Sequence, residues 1–222
     1  MKEYTLRETK HAKTRIAIVQ AFIEALETSP YDEISIRQIC KKVEISEGTF
    51  FNYFSEKLDL INYYTHLLFL KVIWRARQQS PQETPFIDFI ESMFVKLAEE
   101  HRNFNVVYKM ISVLLVQPGR PKRVEITDLE RSIFLPGCPG IETIPVCLPD
   151  EFFMAAIEDA HRRGELPADL KANDLKLSLN TILIGTMLAL KFEDKNAGAY
   201  HYRRQLQLLW KGLGIKRIVR KK

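Results

Sequence analysis

The feature that most constrains this chain is a close succession of helix caps. Ser35 is followed three residues on by Gln38, the pattern of a capping box in which the two side chains satisfy each other's backbone donors. It opens a helix expected over about Ile36 to Val43. Ser46 opens a second, over about Glu47 to Phe54, and Ser55 a third, over about Glu56 to Gln79. Only Val43 to Ser46 separates the first two, so they must meet at a tight turn. Ile36, Ile39, Cys40 and Val43 supply an inner face to one, and Phe50 and Phe54, four apart, to the other, with Ile45 placed to plug between them. Gly48, Thr49, Asn52 and Tyr53 then point away from that core. The arrangement is a helix-turn-helix, and a face of small, amide and phenol groups suits entry into a major groove.

The rest of the chain is helical by periodicity. Ile16, Val19, Phe22, Ile23 and Leu26 form one stripe on a helix of about Thr9 to Thr28, which Pro30 ends. Further helices are expected over about Phe86–Glu100, Arg102–Val116, Arg123–Phe134, Asp150–Arg163, Ala172–Lys191 and Ala197–Leu213. Breaks fall at Ser80–Pro85, at Gln117–Pro121 and in a Pro/Gly loop from Pro136 to Pro149. No strand-like alternation runs for any useful length. The expected fold is all-α: an N-terminal three-helix helix-turn-helix head over residues 1–56, a larger helical body over 57–215, and a basic tail over 216–222.

The head resembles the N-terminal signature of the TetR family of transcriptional regulators. The pieces are Ser35, Ile39-Cys40, Glu44-Ile45-Ser46, the run Gly48-Thr49-Phe50-Phe51-Asn52-Tyr53-Phe54, and Ser55-Glu56-Lys57-Leu58-Asp59-Leu60, with Lys13-Thr14-Arg15-Ile16 and Ala21-Phe22 ahead of them. The likeness covers about Arg7 to Leu60. It implies that the helix beginning at Glu47 is the recognition helix. Glu47, Gly48, Thr49 and Asn52 are then candidates for base edges, Tyr53 and Lys57 for phosphates, and Ser35 and Arg37 for the flanking backbone. Ser46 at the cap and Phe51 belong to the same DNA-binding set, and Lys10, Lys13 and Arg15 form a basic arm beside it. Three positions depart from the family pattern. Glu44 stands where Gly is usual, Phe51 where Tyr is usual, and Cys40 where Ala is usual. If the turn needs a positive φ, Glu44 costs about 1 kcal/mol there.

Charge weighs less than the motif. Residues 1–15 carry a local +3 and residues 195–222 carry nine basic and no acidic residues, but residues 1–60 as a whole are near neutral, with nine basic and ten acidic. The basic ends suit a nucleic-acid partner. The near-neutral head and Glu44 favour the rival reading, a helical small-molecule or protein-binding module that no longer contacts DNA. An enzyme is not expected: there is no P-loop and no Gly-x-Ser-x-Gly, and the five His are scattered. No cofactor and no metal are expected either. The one Glu-x-x-His, Glu158 to His161, lacks the second motif that a di-iron bundle needs. Cys138 and Cys147 lie in the Pro/Gly loop as free thiols, with a redox pair as the alternative. The start has no apolar segment of the secretory kind, and no run reaches membrane-spanning length, so a cytoplasmic protein is expected.

The body carries two further expectations. An apolar effector pocket is placed at Phe69, Phe89, Met93, Phe104, Tyr108 and Met187, as the resemblance implies for a ligand-sensing body. The resemblance also implies a homodimer interface on the last two helices, placed at Leu179, Leu183, Met187, Leu206, Leu209 and Trp210, and a helix apolar nearly all round fits one that faces both core and partner. With double-stranded DNA carrying a palindromic operator, these complete the expected partners. The outcome expected of the family is repression relieved by the effector.

Overall fold

The computed structural model describes residues 3–79, 84–100, 104–117, 122–192 and 194–215, with the side chains of Phe104 and Lys195 left aside. The described residues are helical, with no strand: α1 Leu6–Thr28, α2 Ile36–Val43, α3 Glu47–Phe51, α4 Leu58–Gln79, α5 Phe86–Glu100, α6 Phe104–Val116, α7 Asp128–Phe134, α8 Pro149–Arg162, α9 Ala172–Ala189 and α10 Gly198–Gly212. The basic tail at 216–222 lies outside the described residues.

Capping chemistry decides where these helices begin. α1 starts earlier than its apolar stripe suggests because Thr5 and Glu8 form a capping box. α2 begins at its Ser35–Gln38 box as expected. α7 is shorter than expected, since the box of Thr127 and Glu130 sets its start and leaves Arg123 to Ile126 outside it. α4 starts at Leu58 rather than Glu56: the Asp59 carboxylate, not Ser55, accepts from the Glu56 N–H at 3.1 Å. Pro149 is the first residue of α8, where its missing N–H costs nothing. α8 ends in a Schellman arrangement, with Gly164 at φ +68° and the Glu165 N–H on Ala160 O at 2.9 Å.

The chain forms two compact units, Met1–Lys71 with Asn105–Val146, and Val72–Phe104 with Cys147–Lys222. In the first, Ile16, Val19, Phe22 and Leu26 of α1 pack with Ile39 and Cys40 of α2, Phe50 of α3, and Leu60, Tyr63 and Leu67 of α4. Val106 and Met110 of α6 and Ile126 belong to the same core. Lys109 on α6 caps the far end of α1, donating to Leu26 O at 2.7 Å and Ser29 O at 3.0 Å. In the second unit α5 packs on α10 and α8 on α9. Phe94 stacks on Phe153 at 5.8 Å and meets Tyr202 edge-on at 5.1 Å. The Tyr202 hydroxyl donates to Leu183 O at 3.0 Å, which satisfies the polar tip of a buried ring.

Candidate nucleic-acid interface

The turn between α2 and α3 is made by Glu44 at φ 59°, ψ 45°, with its N–H on Cys40 O. It is the only non-Gly residue of positive φ among those described. This is the left-handed conformation in which a Cβ crowds the following carbonyl. Glu44→Gly is therefore expected to stabilise the protein by about 1 kcal/mol, read as a rise of about 2–4 °C in the thermal midpoint. A fall in midpoint would show that the Glu44 side chain makes a contact worth more than the strain.

α3 is short and seated on two rings. Ser46 Oγ accepts from Thr49 N at 3.0 Å and lies 2.8 Å from Thr49 Oγ1. Helix α3 ends at Phe51, not at Phe54, because the Asn52 N–H turns to Thr49 O at 3.1 Å and the Tyr53 N–H to Phe50 O at 2.9 Å, the tighter i→i−3 pattern. Phe50 is 0% and Phe54 3% exposed, with ring centroids 6.0 Å apart. Phe51, the next residue, is 52% exposed. The opposite side of α3 faces solvent: Ser46, Glu47, Gly48 and Asn52 are exposed, and Thr49 and Tyr53 half-buried. Ser35 and Arg37 at the start of α2 are exposed as well.

Two basic residues are occupied inside the protein. The Lys57 ammonium donates to Tyr31 O at 2.6 Å and Ile34 O at 2.8 Å, and stands 4.0 Å from the Tyr31 ring centroid. Burial pushes its pKa down, and the Tyr31 phenol is pushed up to about 12 by burial and by Glu56. Arg15, grouped with the basic arm on sequence, turns inward to Glu130 at 3.1 Å, with 17% of its side chain exposed. Tyr53 meets the His11 ring of α1 at 4.7 Å between centroids, tilted by 40°, a contact with no signature in the motif.

The other expected sites fall out differently. Leu179, Met187, Leu206 and Trp210 are buried within the chain's own core, and Leu183 and Leu209 are half-buried. Exposed apolar side chains of the same two helices include Leu177 (65%), Ile184 (37%), Tyr200 (65%) and Leu208 (53%). Of the residues expected to line an effector pocket, Phe69 and Tyr108 belong to the first unit and Phe89, Met93 and Met187 to the second, while the Phe104 side chain lies outside those described. Two clefts of the first unit, about 280 and about 240 Å³, have other walls: one has Arg7, His11 and Asp128, the other Ala25, Gln38 and Lys42. Cys138 is a free thiol whose pKa burial pushes up, which works against reactivity.

A helix-turn-helix with an exposed polar side, in a chain helical throughout its described residues, has the build of a DNA-binding head. Residues 18–64 match the family of bacterial regulatory proteins described as the tetR family. Most of the chain superposes on several solved structures. One is the FadR repressor of Thermus thermophilus in complex with lauroyl-CoA (TM-score 0.61, 19% identity, 94% of this chain and 99% of that one). Similar too are the regulator FadR of Bacillus subtilis in complex with stearoyl-CoA (0.63, 14%, 88% and 97%) and GusR of Salmonella enterica (0.59, 17%, 91% and 96%). No curated protein matches the chain. The head is thus similar in sequence to the tetR family over residues 18–64, and the chain shares the fold of these solved structures over most of its length. No helix among the described residues is long and apolar enough to cross a membrane.

Proposed function

We propose that the protein is a cytoplasmic repressor that binds a palindromic operator as a homodimer and is released by a small apolar effector, without catalysing a reaction. The observation that carries the DNA-binding part is the seat of α3: Phe50 and Phe54 are buried, so Glu47, Gly48, Thr49 and Asn52 are offered together on the other side. Thr49 can meet a thymine methyl and Asn52 an adenine edge. Ser35 and Arg37 serve the flanking phosphates, Tyr53 adds a phenol to them, and Phe51 adds apolar contact. The remaining Lys57 proton serves a phosphate while the other two hold the loop ahead of α2.

The dimer is assigned to α9 and α10. Leu177, Thr181, Ile184, Gly185 and Leu188 recur at helical spacing along α9, and the first three are exposed apolar or small polar groups. A side-chain carbon added at Gly185 would meet no atom within 4 Å, so the chain's own packing does not require a glycine there. Close approach of a second copy does, and offsets the cost of glycine in a helix. Leu208 extends the surface onto α10, with Leu183 and Leu209 at its margin and the buried Leu179, Met187, Leu206 and Trp210 supporting it from beneath. A twofold pair then presents two copies of α3 to successive major grooves. Effector binding acts through α4, whose residues belong to both units, by lowering the population of the DNA-competent spacing. Long-chain acyl-CoA thioesters are the first effectors to try, on the strength of the two FadR complexes.

The test is selection of bound sequences from a random duplex library, followed by a salt titration on the enriched duplex. An inverted repeat and a log-log salt slope of about −0.9 per neutralised phosphate are expected. Arg37→Ala, one phosphate contact in each subunit, reduces the magnitude of that slope by about 1.8 for the dimer. Enrichment of no sequence, with no salt dependence, would leave the head as a binding module for something other than DNA.

A further inference from the structure

A series of contacts reaches α3 from a residue that lies outside the helix-turn-helix motif. Glu130 of α7 is 0% exposed. One carboxylate oxygen closes the α7 capping box, accepting from Thr127 N at 2.7 Å and Thr127 Oγ1 at 3.1 Å. The other accepts from Arg15 Nη1 of α1 at 3.1 Å, and the same nitrogen donates to Glu125 O at 3.2 Å. The Arg15 guanidinium lies 4.5 Å from the ring centroid of Tyr63 and 5.4 Å from that of Phe54. Phe54 in turn meets Tyr63 edge-on at 5.6 Å and Phe50 of α3 at 6.0 Å. An unbroken series of contacts therefore runs from α7 through α1 to the inner face of α3.

A buried ion pair is a poor device for stability alone. Well-packed apolar groups of similar volume do as well or better, because both charges must be stripped of water. What the pair supplies instead is direction. The carboxylate is oriented by its own capping box, and it holds the guanidinium at one place over the Phe54 ring. A cation over an aromatic face and a two-sided carboxylate are both geometrically selective. We propose that Glu130 is a positioning residue for DNA recognition: through Arg15 and Phe54 it sets the seat of α3, and it touches no DNA itself. The inference rests on α3 being the recognition helix.

The experiment uses the full chain and the duplex enriched from the random library, with a scrambled duplex of equal length beside it. Affinities are measured from about 50 to 200 mM salt, at a temperature where circular dichroism shows each protein fully folded. Glu130→Gln keeps the shape and removes the charge. It is expected to weaken binding to the enriched duplex about tenfold, as a coupled network permits, with little change on the scrambled duplex and an unchanged salt slope. A purely structural role would lower the melting temperature and leave the selectivity of the folded protein untouched, which overturns the proposal. So does a slope reduced by about 0.9 or more per subunit, which would put Arg15 on a phosphate. Should Glu130→Gln fail to fold, Glu130→Asp keeps the charge and withdraws it by one methylene. A loss of about threefold with the same signature is then expected, and wild-type selectivity overturns the proposal. Failure of the wild-type protein to select any duplex is a separate result, and it strikes the recognition helix itself.

Discussion

Phe50→Ala is expected to unfold the head under conditions where the wild-type protein is native, while Phe51→Ala, one residue on, barely moves the melting curve. Phe50 is 0% exposed and packs against the rings of Phe51 and Phe54, 5.4 and 6.0 Å away between centroids. Truncating such a ring removes its transfer free energy and leaves a cavity, a loss of about 3–5 kcal/mol. That is a large part of the roughly 5–15 kcal/mol that holds a domain together. Helix α3 has five residues and cannot persist without its seat. Phe51, 52% exposed, loses surface contact only, and its substitution is expected to stay within about 0.5 kcal/mol. Thermal unfolding followed by circular dichroism, with an affinity measurement on the enriched duplex, checks the pair. The expected pattern is collapse of stability and binding for Phe50→Ala, and weakened binding at nearly unchanged stability for Phe51→Ala. Equal loss of stability in both would mean that α3 is rotated from the orientation described.

That contrast was legible in the sequence because it is local. Phe50 and Phe54 are one helical turn apart, Ser35 and Ser46 announce the helices on either side, and the positive φ of Glu44 follows from the place of the turn. Signals of the same kind are obscured where a longer pattern competes with them. Thr5 and Glu8 form a capping box as readable as that of Ser35, but the apolar stripe drew the start of α1 inward to Thr9. Thr127 and Glu130 form another, masked by Arg123 to Ile126, which continue the helical pattern ahead of it. The ties that hold the head from outside had no local sign at all. Arg15 and Glu130 are 115 positions apart, and Lys109 is 83 from Leu26. A charge pattern reports that Arg15 is basic, and only tertiary structure reports that its charge is spent on an internal carboxylate. The same limit applies to α9. A helix apolar on nearly every side has no periodicity to orient it, so Leu177 and Leu179 could not be told apart until one proved exposed and the other buried.

The second large effect follows from that distinction. Ile184→Glu is expected to turn a dimer into a monomer and to weaken binding to the inverted repeat about 100-fold or more. Ile184 is partly exposed on the α9 stripe beside Gly185, so a glutamate there is tolerated by the single chain. In the proposed dimer, the same carboxylate would enter a desolvated contact with no partner, which association cannot repay. Loss of the dimer unlinks the two heads. Each half-site is then bound separately, and the avidity of about 10² to 10⁴ that linkage confers disappears. Leu179→Ala is the control. Leu179 is 0% exposed, so its truncation is expected to cost about 2–5 kcal/mol and to show as a lower melting temperature, with the dimer persisting at temperatures where the chain is folded. Sedimentation velocity together with binding to full and half operators separates the two cases. A dimeric Ile184→Glu protein with wild-type affinity would move the interface off α9, and with it the geometry by which two recognition helices reach one face of the duplex.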